Sequence, residues 1–195
     1  MLNKSEVMML IKEAGLDAQF RENSKNHWSE GVKKISEVPT YYQEHLVDYQ
    51  LTVFRHVSKS LIDISLVLYN DNKTCGVWPL YFDFEKKDPI KSINDNYGGV
   101  IVPPLFIENF PKKSQRRIIK ACIRFLNSLV IKSEGQVWRS SELSAKVNVS
   151  QWHQLCLENG AVLDKVNYEL YVDLSLSINQ IRSFIRKSYR PLVSS

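Results

Sequence analysis

At 195 residues, 44% of them apolar, the chain is long enough to enclose one sizeable core, and it lacks the Pro, Ser or Gln enrichment of disordered chains. Its formal net charge of +5 is unevenly divided: residues 1–100 carry 12 basic and 14 acidic side chains, residues 101–195 carry 14 and 7. No apolar run approaches the roughly 20 residues of a membrane helix, and the first 16 residues mix acids and bases unlike a signal peptide, so a cytoplasmic chain is expected.

The first predicted element is an amphipathic helix over residues 4–14 (Lys4, Val7, Met8, Leu10, Ile11), ending near Gly15. A polar link through Asn23–Asn26 follows, then His27 and Trp28 lead to Val32, Ile35, Val38 and Pro39. Residues 1–39 therefore read as a helical N-terminal segment. Thr40–Phe54 is rich in aromatics (Tyr41, Tyr42, Tyr49, Phe54) and reads mostly as helix. Leu61–Tyr69 places Ile62, Ile64, Leu66 and Leu68 at alternate positions, Asn70–Lys73 is a turn by composition, and Thr74–Phe82 is a second strand. This predicts a β-hairpin. Pro79 cannot donate to a ladder, so an edge, bulge or early end is expected there.

From Asp83 to Asn96 the chain is charged and aperiodic, as a surface loop is. It runs into Tyr97-Gly98-Gly99 and then Pro103-Pro104, where paired glycines permit close approach of another group to the backbone. Ser114–Ile131 is the clearest helix pattern: Ile118, Cys122, Phe125, Leu126 and Leu129 share one face, and Lys113, Arg116, Arg117, Lys120 and Arg124 the opposite one. A short strand is predicted at Gln136–Ser140, and a helix at Ser150–Glu158 stopped by Gly160. The chain closes on a strand, with apolar Val166, Tyr168, Leu170, Val172 and Leu174 at period two. A helix follows, carrying Ile178, Ile181, Ile185 and Tyr189, with a Ser177/Gln180 capping box at its start. The fold class is α/β (α+β): a single mixed, largely antiparallel sheet around a central hairpin, residues 40–195 supplying sheet and covering helices.

Several chemistries find no support. Cys75, Cys122 and Cys156 lie far apart without a C-x-x-C pair, as buried thiols in a reducing compartment do. The four histidines are scattered, and His153 with Cys156 makes only two ligands where a metal site needs three or four. No nucleophile elbow or glycine-rich phosphate motif can be written. The basic helix face around Arg116–Arg124 reads either as a solvated back face or as a surface for phosphates; without interleaved aromatics it is no sequence-reading nucleic-acid module. Arg182 and Arg186 flank the apolar face of the last helix, either bracing a junction or meeting an anion. Arg139, Ser141 and Glu142 follow a short buried strand, at the kind of carboxyl end where ligands gather.

Tyr171-Val172-Asp173-Leu174-Ser175, followed by Ile181-Arg182 and Ile185-Arg186-Lys187-Ser188-Tyr189-Arg190, resembles the strand and basic helix that end the first unit of FemAB-type proteins, a branch of the GNAT superfamily of N-acyltransferases. Gly76-Val77-Trp78-Pro79-Leu80 and Tyr97-Gly98-Gly99 before Pro103-Pro104 are similar to that unit as well. The resemblance implies a GNAT-like domain over residues 1–195, the acceptor-side half of a protein whose second half follows Ser195. It also implies transfer of an acyl or aminoacyl group to an amine in cell-envelope or surface-glycan biosynthesis. Acyl-CoA or aminoacyl-tRNA would be the donor to the complete protein, and an anionic molecule or glycan precursor the substrate. No Q/R-x-x-G-x-G/A pyrophosphate loop is present. On this reading Tyr97, Gly98, Gly99, Arg139, Ser141, Glu142, Arg182 and Arg186 are substrate-binding candidates, with no catalytic residue or metal ligand assigned. The alternative is a non-catalytic binding domain that docks its basic half on an anionic protein, nucleic acid or membrane surface.

Overall fold

The organising element is the hairpin. In the computed structural model, which describes residues 2–83, 101–133, 138–140, 150–163, 177, 179–180 and 183, strands β3 (Leu66–Asn70) and β4 (Lys73–Trp78) pair antiparallel across a two-residue turn. Asp71 and Asn72 both take positive φ, 51° and 60°, the conformation that matches a tight turn to the twist of its strands. Below this pair, β2 (Leu61–Asp63) and β5 (Tyr81–Asp83) form a second antiparallel ladder.

The expected single sheet is thus two ladders, one of four strands in the order β1 (Ala18–Phe20), β3, β4, β6 (Leu105–Phe106) and one of two, β2-β5, and the cause is local. Leu61 faces Asp83, Ile62 faces Phe82, Leu66 faces Trp78 and Leu68 faces Gly76, so the register runs unchanged through the interruption. At the gap, Ile64 N–H still donates to the Leu80 carbonyl at 3.0 Å. Leu80 N–H donates instead to Ser65 Oγ at 3.0 Å, and that hydroxyl donates to the Leu80 carbonyl at 3.2 Å. The fully buried Ser65 hydroxyl therefore takes up the ladder where Pro79 interrupts it. The expectation of a break at Pro79 holds. A bulge between Leu68 and Tyr69 shifts the register by one beyond it.

The remaining elements clothe both faces. Helix α1 (Lys4–Glu13) opens on a capping box: Asn3 Oδ1 accepts from Ser5 N–H and Glu6 N–H at 2.9 and 3.0 Å, and Glu6 accepts from Asn3 N–H at 2.8 Å. Gly15, at φ +75°, stops it, with its own N–H bonded to the Lys12 carbonyl and Leu16 N–H to the Ile11 carbonyl, a Schellman ending. Two elements then depart from the sequence reading of a helical segment over 1–39 with a plain polar link. Ala18–Phe20 is a strand, β1, paired with β3, and Lys25–Lys33 is a helix, α2, which buries Trp28, Gly31 and Val32. Three residues are too few to display alternation, and a polar first turn with a glycine in the next dilutes a helical pattern.

Helix α3 (Glu44–Val57) follows a 3-10 turn at Thr40–Tyr42. Strand β6 (Leu105–Phe106) pairs with β4, α4 spans Lys112–Lys132, and α5 spans Gln151–Glu158. One apolar cluster joins Val7 and Ile11 of α1, Cys122, Phe125, Leu126 and Leu129 of α4, and Trp152 and Leu155 of α5 to Leu66, Leu68, Trp78 and Leu80. A second joins Trp28, Val32, Val47 and Leu51 of α2 and α3 to Leu61, Val67, Tyr69, Val77 and Tyr81. The hairpin is covered on both sides, which is why Leu66–Tyr69 is buried at every position. Every ladder between named strands is antiparallel. The mixed character rests on an isolated parallel bridge between Ile101 and Ser140.

Candidate functional site

That bridge lies close in sequence to two of the predicted segments. Ile101 lies two residues after Gly99, and Ser140 lies between Arg139 and Ser141, so the bridge joins the chain leaving one predicted segment to the chain entering the other. Ile101 N–H donates to the Arg139 carbonyl at 3.2 Å, and Ser140 Oγ donates to the Ile101 carbonyl at 2.7 Å. The next two carbonyls are held as well. Trp78 Nε1–H donates to Val102 at 2.7 Å, and the Tyr42 hydroxyl donates to Pro103. Three successive carbonyls are thus anchored by side chains from three parts of the chain, and Ile101–Pro103 is fixed without a regular ladder beyond the bridge.

An aromatic floor supports this clasp. Trp152 Nε1–H donates to Ser140 Oγ at 2.9 Å, so that hydroxyl both gives and receives. The Trp152 ring lies 6.0 Å from both Trp78 and Trp138, and Trp78 meets Phe125 edge-on at 6.2 Å. Such contacts add directional preference to large apolar burial. Trp138 Nε1–H is satisfied by Asn127 at 2.7 Å. Arg139 itself is exposed, so its side chain is presented beside the clasp while its carbonyl is used within it.

Of the other predicted residues, Tyr97, Gly98, Gly99, Ser141, Glu142, Arg182 and Arg186 lie outside the described residues, as do the strand predicted at 166–174 and most of the helix after it. The helix start is described. Ser177 N–H donates to Gln180 Oε1 at 2.9 Å and Gln180 N–H to Ser177 Oγ at 3.4 Å, the reciprocal pair expected from the sequence.

Sequence reasoning missed a charged cluster on the α2/α3 side of the hairpin. Arg21, only 2% exposed, donates through Nε and Nη2 to Asp63 Oδ2 at 2.8 and 2.7 Å, and through Nη2 to Asp48 Oδ1 at 2.5 Å. Asp63 Oδ1 accepts from Ser65 N–H at 2.8 Å, and the guanidinium carbon sits 5.8 Å from the Trp28 ring centre. Burial alone would lower the Arg21 pKa, but Asp63 and Asp48 outweigh it and the net direction is upward. Nη1 is buried without a hydrogen-bond partner in the structure. Nearby, Asp83 accepts from the Ser58 hydroxyl and, at 2.5 Å, from that of Ser60. The Tyr81 hydroxyl lies within hydrogen-bond distance of both the Val47 carbonyl, at 3.3 Å, and Gln50 Oε1, at 3.2 Å, and shares its one proton between them; burial first, then Asp63, pushes its phenol pKa upward. This cluster is a brace between α3 and the hairpin rather than an accessible centre. Arg21 and Asp63 stand 42 residues apart, so no local pattern announces them.

The basic face of α4 is also more engaged than a solvated back face would be. Arg116 pairs with Glu158 of α5 at 2.7 and 3.0 Å, and Arg117 donates to Asn70 beside the hairpin turn at 2.6 Å. Arg124 donates twice to the Ala14 carbonyl, at 2.7 and 3.2 Å, placing a cation at the negative end of α1. Thiol nucleophiles have no footing: all three cysteines are buried. Burial, with Asp17 adding to it, pushes Cys75 up to about 12, and burial raises Cys122 well above the usual range. Among the described residues no three His, Cys, Asp or Glu converge on a point that could hold a metal, and no helix is long and apolar enough to cross a membrane.

One further concave feature is an open polar depression of about 350 Å³ at the start of α2. It is lined by Gln19, Glu22, Asn23, Ser24, Lys25, Asn26 and His27. In comparisons with known proteins, no protein-family model, curated protein or solved structure matches this chain.

Proposed function

We propose that this chain is a GNAT-like unit of an N-acyltransferase, transferring an acyl or aminoacyl group to an amine of a cell-envelope or surface-glycan precursor, and that it forms the acceptor side of the site. The observation that carries the reading is the Ile101–Ser140 bridge. It pairs Ile101, two residues after Gly99 in sequence, with Ser140, which lies between Arg139 and Ser141. An anchored backbone flanked by a glycine pair and an exposed arginine suits an acceptor carrying phosphate or carboxylate, because a rigid frame with a guanidinium fork orients an anion at low entropic cost.

The chemistry is attack of a neutral amine on the carbonyl carbon of an activated acyl group. The new N–C bond forms as the bond to the donor's sulfur or oxygen breaks, and the amine's proton passes to a base. Acyl-CoA and aminoacyl-tRNA are the donor classes. Docking through the basic half is less well supported, since Arg116, Arg117 and Arg124 already hold intramolecular partners.

The test is calorimetry and product mass spectrometry on the full-length protein with acyl-CoAs, aminoacyl-tRNA, nucleotide-linked amino sugars and peptidoglycan precursors. Acylated amine is expected, with acceptor binding weakened about tenfold or more by Arg139→Ala, the scale of one charge-assisted contact. Absence of binding and acylation across the panel would remove the proposal.

A further inference from the structure

The depression at the start of α2 contains a hydrogen-bond chain outside the proposed site. His27 Nδ1 and the Tyr69 hydroxyl are 2.7 Å apart, with their rings edge-on at 5.9 Å. The same hydroxyl lies 3.5 Å from Gln19 Oε1, which also accepts from Ser24 Oγ at 2.6 Å. Tyr69 is buried in the second apolar cluster, whereas His27 is exposed to solvent. A tyrosine hydroxyl has one proton to give. With neutral imidazole bearing its hydrogen on Nε2, the hydroxyl donates to His27 Nδ1 across the 2.7 Å contact. Imidazolium has hydrogen on both nitrogens, so Nδ1 must then donate to the tyrosine oxygen. The hydroxyl proton needs a second acceptor, and Gln19 Oε1 is the one the structure provides.

We propose that Gln19, Ser24, His27 and Tyr69 form a proton-responsive latch in which the His27–Tyr69 bond reverses direction when the imidazole gains a proton. It joins α2 to both β1 and β3 in either charge state. The shape of the corner is therefore kept while its charge changes. Of the charged groups, Lys25 on its own helix and Glu22 on the 3-10 turn Arg21–Asn23 line the depression with His27, and Glu30 follows three residues later along α2. Glu22 is ion-paired with Lys4 of α1, and Asp17 is the carboxylate preceding Gln19 along the β1 chain. Of the lining side chains, Glu22 and Lys25 cancel. Protonation of His27 turns a formally neutral depression into a cationic one.

The test is NMR of the full chain with nitrogen-15 histidine and carbon-13 tyrosine, followed by pH titration between the neutral and the protonated imidazole. In the neutral state His27 is expected to be protonated at Nε2 with a bare Nδ1, and the Tyr69 Cζ resonance should step as His27 titrates. His27→Gln should abolish the step. Gln19→Leu should shrink it by removing the second acceptor, while the amide spectrum of both variants, whose altered side chains are exposed, reports an intact fold. A neutral His27 carrying its proton on Nδ1, a Tyr69 Cζ that stays flat while His27 titrates, or an unaltered step in Gln19→Leu would each overturn the latch.

Discussion

The two faces of the hairpin are built on different principles. Among the described residues, the face against α1, α4 and α5 is filled by a large apolar cluster, from Val7 and Ile11 through Phe125 and Leu126 to Trp152 and Leu155, and polar contacts such as Arg116–Glu158 are exposed. Against α2 and α3 the apolar cluster is smaller and shares its space with Arg21, Asp63 and Asp83, all nearly inaccessible. The first face is held by volume, which tolerates replacement by similar shapes. The second depends on orientation, because a buried charge is costly unless its partners are in place.

The sharpest way to break this contrast is to change charge without changing shape. Asp63→Asn keeps the side-chain outline but leaves Arg21 with only the half-exposed Asp48, and it should cost about 3–5 kcal/mol in urea denaturation. On the other face Leu126→Ala should cost about 2–5 kcal/mol, whereas Leu126→Met should cost less than ~1.5. If Asp63→Asn were as mild as Leu126→Met, the contrast would be lost.

Ser65→Ala tests the join between the two ladders. It removes the acceptor of Leu80 N–H in a fully buried place and should cost about 1–3 kcal/mol. Arg124→Ala, which uncaps the C-terminus of α1, should cost about 0.3–1 kcal/mol and lose most of that effect at high salt.

A further effect is one of pH. Cys75 and Cys122 have pKa values raised in the folded chain above the ordinary thiol value of 9.0, so they favour folding fully below that value. Their contribution declines as pH rises from 9.0 toward about 12 for Cys75, because the unfolded thiols lose protons first. A denaturation series at rising pH should show this decline, shallower in Cys122→Ala, and native thiols should resist an aromatic disulfide reagent until the chain unfolds.

What was legible in the sequence follows the range of the interactions. The hairpin, the break at Pro79, the helix now seen as Lys112–Lys132 and the Ser177/Gln180 box all rest on residues a few positions apart, where periodicity and capping act. Strand β1 escaped because β3, nearly fifty residues away, makes it a strand. Helix α2 escaped because Trp28, Gly31 and Val32 include a glycine whose value lies in packing rather than propensity. The candidate site divides in the same way: Arg139 could be named from its place after a short strand, whereas its link to Ile101 and the Arg21–Asp63 pair exist only once distant segments meet.

Gly31 has a mechanical meaning. A Cβ there would lie 3.2 Å from both Thr74 Cγ2 and Val77 Cγ1, tighter than ordinary contact, so the missing methyl sets the clearance between helix and sheet. Gly31→Ala would act as a shim. It would lift α2 by a few tenths of an ångström, and His27, one turn earlier on the same rigid rod, would be drawn back from Tyr69. The spacing of a hydrogen bond at one end of α2 is thus gauged by an absent atom at the other.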